Sequence, residues 1–189
     1  MIKNFLKVLT LILFLLVIFL GYFAYFGITT SKFNKIIKDE FKNQNKDLDI
    51  ELKKVKLHLN LKNISIKIKT KNPKIILKDS NEIKLDEISS NISISSYFQN
   101  KFAIKNLSIS SKSNELSSYI NFYRIIDNSL QLILLNQFVK SGMAQVNVDL
   151  NFEDSGKIKN NFNLKGKVTN AEVQIPNNKN IKKLNFNFS

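Results

Sequence analysis

Hydrophobic and polar positions along this chain follow three successive patterns. The first is a run from Val8 to Ser31 without a single charged residue. About 24 residues at ~1.5 Å rise make a helix of ~36 Å, enough to cross a ~30 Å hydrocarbon core with some tilt. The second pattern is short: Phe33, Ile36, Ile37 and Phe41 fall at i, i+3, i+4 and i+8, opposite Lys35, Lys38, Asp39 and Lys42. This spacing predicts an amphipathic helix within residues 32–47, which either lies on a membrane surface or caps the next domain; a stripe of about two turns suits capping better. The third pattern has a period of two and fills most of residues 48–189.

In that last region Leu48, Ile50 and Leu52 alternate with acids, and Val55, Leu57, Leu59 and Leu61 with Lys, His and Asn. Ile64, Ile66 and Ile68 then alternate with Ser and Lys. Each run predicts a strand with one apolar and one polar face. Parity slips at Lys53-Lys54 and Lys62-Asn63, where bulges or turns are expected. Further strands are predicted at Ile75–Leu77, Ile83/Leu85, Ile92/Ile94, Phe102/Ile104 and Leu107/Ile109, with a turn at Asp79-Ser80-Asn81. Alternation resumes in Val146, Val148, Leu150 and Phe152, turns at Glu153-Asp154-Ser155-Gly156, goes on through Ile158, Phe162, Leu164, Val168, Val173 and Ile175, breaks at a turn at Pro176-Asn177-Asn178, and continues in Leu184, Phe186 and Phe188. Between about 114 and 141 the spacing is helical: Leu116, Tyr119, Ile120, Tyr123 and Ile126, then a dense apolar stretch from Leu130 to Val139. Two helices are predicted, with Ser129 as an N-cap and Gly142 as a terminator. The second is too short to span a bilayer and is expected to be buried. The fold class is therefore mainly β with a few helices: an N-terminal transmembrane helix (1–31), then a long curled antiparallel sheet, groove-like, interrupted by two helices. The chain stops in the middle of an alternating strand, which reads as truncation of a longer protein.

The first run carries Lys3 and Lys7 ahead of it, as a cleaved secretory signal would. Cleavage needs small residues, and the run instead goes on into Tyr22, Phe23, Tyr25 and Phe26, aromatics that suit a membrane interface. An uncleaved anchor is the expectation. Lys3, Lys7 and the α-amino group argue for a cytoplasmic N-terminus, against Lys32, Lys35, Lys38, Lys42 and Lys46 on the other side. Long folded segments are exported largely regardless of charge, so the body is expected outside the cytoplasm.

The formal charge of +14 invites a nucleic-acid reading, which the composition disfavours: Arg124 is the only arginine, and base and phosphate recognition favours bidentate arginine. Most of the lysine is expected on a solvated face, with attraction to anionic head groups as the minority reading. No nucleic-acid partner and no cofactor is expected. Absence of Cys removes disulfides and thiolate metal sites. His58, the single histidine, sits between Leu57 and Leu59 and is placed on the polar face of a strand. Asp47, Asp49 and Glu51 read as charge balance among lysines, and no glycine-rich phosphate loop exists. No enzyme activity is expected.

The layout of anchor, short helix and long amphipathic strands resembles the start of the AsmA-like proteins, the group that includes AsmA, TamB and YhdP. Ile92 to Phe98 followed by Phe102 to Ile109 is similar to the paired strands of that family, and Phe162 to Val173 is similar to its strand, glycine, strand unit. The resemblance implies an inner-membrane protein whose curled sheet guides phospholipid through the periplasm, with envelope proteins as further partners. A one-faced sheet with only two helices over it either leaves part of its apolar face open or is closed by the Leu116 to Val139 helices into an ordinary core, and the resemblance favours the open groove. Expected groove residues are Ile64, Ile66, Ile75, Leu77, Ile92, Ile94, Ile104, Leu107, Val148, Leu150, Phe162 and Leu164. The alternative is an anchored β-sandwich that serves as an accessory subunit of an envelope complex.

Overall fold

A computed structural model describes residues 2–78, 81–127, 129–175 and 179–189. The turns expected at Asp79-Ser80 and Pro176 to Asn178 lie outside the described residues.

The chain opens with helix α1 (Ile2–Tyr25), whose large apolar side chains stand exposed along its length. Among the described residues it is the one helix long and apolar enough to cross a membrane. Its limits differ from the uncharged run. It takes in Lys3 and Lys7, and it ends at Tyr25, so Ile28 to Ser31 are not part of the span. Gly27 adopts φ 71, a left-handed conformation that side chains disfavour, and there the chain leaves the helix. Ile28–Thr30 then forms strand β1.

After helix α2 (Asn34–Gln44), strands β2 (Leu48–Glu51), β3 (Val55–Asn60), β4 (Ser65–Lys71), β5 (Lys74–Leu77) and β6 (Glu82–Ser93) follow. Next come α3 (Ile94–Phe98), β7 (Ile104–Ser111), β8 (Asn114–Glu115), α4 (Leu116–Ile126) and α5 (Leu130–Phe138). The chain closes with β9 (Val139–Asn151), β10 (Asn163–Ile175) and β11 (Lys179–Phe188). The fold is mainly antiparallel β, and the sheet does not close: its path runs β1-β3-β4-β6-β7-β9-β10-β11, with β2 and β5 attached through β6 and β8 attached to β9. The parity slip at Lys53-Lys54 marks a change of partner, since β2 pairs with β5 while β3 pairs with β4. The slip at Lys62-Asn63 falls in the β3–β4 turn, where Ile64 has φ 43.

Three expectations are corrected. Ile94 does not extend the strand of Ile92: it opens α3, capped by Ser93, whose Oγ accepts the Ser96 N–H at 3.2 Å, while the Ile94 N–H donates to Ile64 O. Gly142 does not end a helix; it lies inside β9 with φ 139, where a Cβ would come within 2.9 Å of Ala171 Cα. No residue of α5 is fully buried, and Leu130, Leu134 and Leu135 are exposed: the helix packs mainly on α4, with lesser contact to β9 and β10.

The densest packing lies at one end of the strands. Leu48, Ile75, Leu77, Ile83 and Leu85 are buried together, with Phe41 of α2, Ile88 and Ile109 of the sheet, and Tyr119, Phe122 and Ile125 of α4 against them. Each side chain so enclosed stabilises the fold by ~1.5–3 kcal/mol. A smaller cluster of Ala144, Val168 and Ala171 sits under Leu116 and Tyr119. The Tyr119 hydroxyl fixes α4 on the sheet by donating to Ser111 Oγ at 2.6 Å and accepting from Asn114 Nδ2 at 3.0 Å, and Ser111 Oγ also accepts the Val146 N–H at 2.7 Å.

Candidate functional site

Cross-strand register sorts the main sheet into two chemically different faces. One row runs Leu57, Ile68, Ser90, Leu107, Leu150 across β3, β4, β6, β7 and β9. The neighbouring row on that face runs Val55, Thr70, Ile88, Ile109, Val148, Leu164 and reaches β10. A third joins Leu59, Ile66, Ile92 and Ile104. At ~4.8 Å per strand, the five steps from β3 to β10 extend this apolar face over ~24 Å. The rows of the opposite face read Lys56, Lys69, Ser89, Ser108, Asp149, Asn163 and His58, Lys67, Asn91, Asn106, Asn151.

Helix α4 covers the end of the apolar face that holds Leu85, Ile88 and Ile109. At the β3–β4 end, beside β1 and the anchor, α2 forms a wall instead of a lid. Phe33, Ile36 and Ile37 face Val55, Leu57, Ile66, Ile68 and Ile92 across a cavity of about 240 Å³ lined wholly by apolar side chains. A space below the ~300–1,000 Å³ of ordinary ligand pockets holds part of an acyl chain and no complete lipid. Water gains nothing in such a lining, because it offers no hydrogen-bond partner. Asp49 holds α2 in place: its carboxylate takes Lys38 and Lys42 at 3.1 Å each. Burial opposes charge on Asp49, but these two lysines and the Ile50 N–H outweigh it and hold its pKa below the usual value.

Of the twelve expected groove residues, Ile66 and Ile92 line the cavity. Ile104, Leu107, Val148, Leu150 and Leu164 continue the same face away from it. The other five lie outside the strands of its main path. Ile75 and Leu77 are enclosed in the core beside β2, because β5 pairs with β2 away from the main path. Ile64 is exposed in the β3–β4 turn, Ile94 sits in α3, and Phe162 is exposed just before β10. The cavity also uses Phe33, Ile36, Ile37, Val55, Leu57 and Ile68, whose apolar spacing was readable but whose meeting was not.

A second, open concavity of about 470 Å³ lies on the polar face, among Glu87, Ser89, Ser108, Ser110, Asn147 and Asp149. Among the described residues no three His, Cys, Asp or Glu side chains come together as a metal site would need. Asp154 is engaged by Lys105 and Lys101, which lower its pKa, and Asp47 by Lys78. His58 stands on the polar face as expected. Burial, then the charges of Lys56, Lys67 and Lys69, push its pKa down.

Fold and site together define an open-sheet, mainly β protein with one N-terminal apolar helix suited to a membrane span. No family model matches the chain, and no curated protein or solved structure matches it either.

Proposed function

We propose that this chain is an inner-membrane-anchored periplasmic protein of envelope biogenesis, one that guides phospholipid acyl chains along the apolar face of its sheet without catalysis, as the AsmA-like resemblance implies. The observation that carries the reading is the wholly apolar cavity at β3–β4, a few residues from the end of α1 and continuous in register with apolar rows that reach β10. An acyl chain leaving the bilayer beside the anchor enters between Phe33 and Leu57 and continues over rows that are apolar except at Thr70 and Ser90, away from the end that α4 covers.

Native mass spectrometry of the full chain released from detergent tests this. The wild type should retain phospholipid, and Ile66→Asp combined with Ile92→Asp should lower the retained amount at least tenfold while α1 and its own surrounding lipid are untouched. Burying an unpaired carboxylate in that lining disfavours a chain beside it strongly enough for such a loss. A wild type that is consistently lipid-free, or a double variant that retains as much lipid as the wild type, overturns the reading and favours an anchored interaction domain.

A further inference from the structure

Behind the apolar cavity, on the polar face of the same two strands, the lysines are placed in a way that a merely solvated surface does not explain. Lys53, Lys54, Lys56, Lys69 and Lys71 gather with Thr29 and Asn72 around a cleft of about 430 Å³ whose inner surface is mostly apolar, the lysine stems forming its walls. Lys56 and Lys69 are direct cross-strand partners, an arrangement that destabilises a sheet when both positions carry the same charge. Among the described residues only Lys69 of these five has a carboxylate in ion-pair range, that of Glu87. His58, on the same face, has its pKa lowered first by burial and then by the charges of Lys56, Lys67 and Lys69.

The position of the cleft identifies what would neutralise it. Thr29, on its rim, follows the last residue of α1 by four positions, which at ~3.5 Å per residue puts the cleft within ~14 Å of the anchor's end. The anchor at ~36 Å only just exceeds the ~30 Å hydrocarbon core, so the cleft stands level with the head-group layer or just above it.

We propose that this five-lysine cleft is a docking site for the phosphate head groups of anionic phospholipid in the membrane that α1 spans, and that it holds β1, β3 and β4 against the bilayer. Lysine suits the task, since a flexible ammonium meets phosphates at varied depth without the fixed geometry of arginine. The proposal rests on the anchor and not on lipid transfer; a protein that never moved a lipid would dock in the same way.

The experiment compares the full chain in nanodiscs of phosphatidylcholine and in nanodiscs with three parts in ten of phosphatidylglycerol, by hydrogen exchange. Amides at 53–56 and 69–72 should exchange about tenfold more slowly in the anionic discs, the effect of one to two engaged lysines at roughly fivefold each. High salt should erase the difference, and so should the combined change of Lys54, Lys56, Lys69 and Lys71 to Gln, while the same four changed to Arg should keep it. Equal exchange of the wild type in the two discs overturns the proposal without need of any variant. Inorganic phosphate giving the same protection in the neutral discs also overturns it, because the cleft would then be a site for free phosphate. Neither outcome touches the acyl-chain reading, which is measured at Ile66 and Ile92.

Discussion

Leu57→Ala and Leu85→Ala delete the same atoms from two places, and comparison of the two separates a groove from a core. Leu85 is only 3% exposed, enclosed by Ile75, Leu77 and Ile83. Truncating a leucine so placed costs about 2–5 kcal/mol, the lost transfer energy plus the cavity left behind. With close neighbours from the sheet and α4, Leu85→Ala should fall near the middle, about 3–4 kcal/mol. Leu57 is partly buried and already borders about 240 Å³ of empty volume, so fewer contacts are lost and little new cavity is made. Its truncation should cost about 1–2 kcal/mol, at most half as much. Urea unfolding of the full chain in detergent micelles, followed by circular dichroism at constant m-value, gives both numbers. Equal costs would refute the reasoning: Leu57 would then be ordinary core, and the apolar face would be closed.

Other outcomes follow from the same geometry. Gly27→Ala should cost about 1–3 kcal/mol and abolish exchange protection at Ile28–Thr30, because φ 71 disfavours a side chain and the new Cβ would come within 2.5 Å of Leu57 O. Ile64 is β-branched with φ 43 and its side chain is exposed, so Ile64→Asn should stabilise by about 1 kcal/mol, seen as a thermal midpoint higher by ~2–4 °C. The depressed pKa of Asp49 means that its contribution is complete above the ordinary carboxylate value of 3.8 and fades as pH falls through the lower folded value. Asp49→Asn should therefore flatten the acid limb of the stability profile below about pH 4 and cost less than about 1 kcal/mol near neutrality, as Lys38 and Lys42 are half exposed.

The alternation within each strand was legible because the period is two: Val55, Leu57 and Leu59 needed no coordinates to be placed on one face of their strand, whereas their meeting with Ile68 and Leu107 needed the cross-strand register. The short helix α3 was not, since Ile94-Ser95-Ser96-Tyr97 alternates as well as a strand does. Its choice rests on the Ser93 cap and on a bond from Ile94 N–H to Ile64 O thirty residues earlier. The exposure of α5 was hidden for a different reason, as a dense apolar stretch states that burial is favourable and not whether a partner is within reach. The stripe of Phe33, Ile36 and Ile37 was visible, but its facing Val55 and Leu57 depends on how β1 and α2 pack beside β3. The lysine cleft likewise needs the pairing of Lys56 with Lys69, which no count of lysines supplies.

The most direct measurement of the central claim is photo-crosslinking in growing cells, with a photoreactive residue placed singly along the two faces of the sheet. Positions Leu57, Ile66, Ile92, Leu107 and Leu150 should capture phospholipid, and positions Ser89, Ser108 and Asn147 on the polar face, away from the lysine cleft, should not. Capture on neither face, or on both equally, would contradict an apolar path for lipid along this sheet.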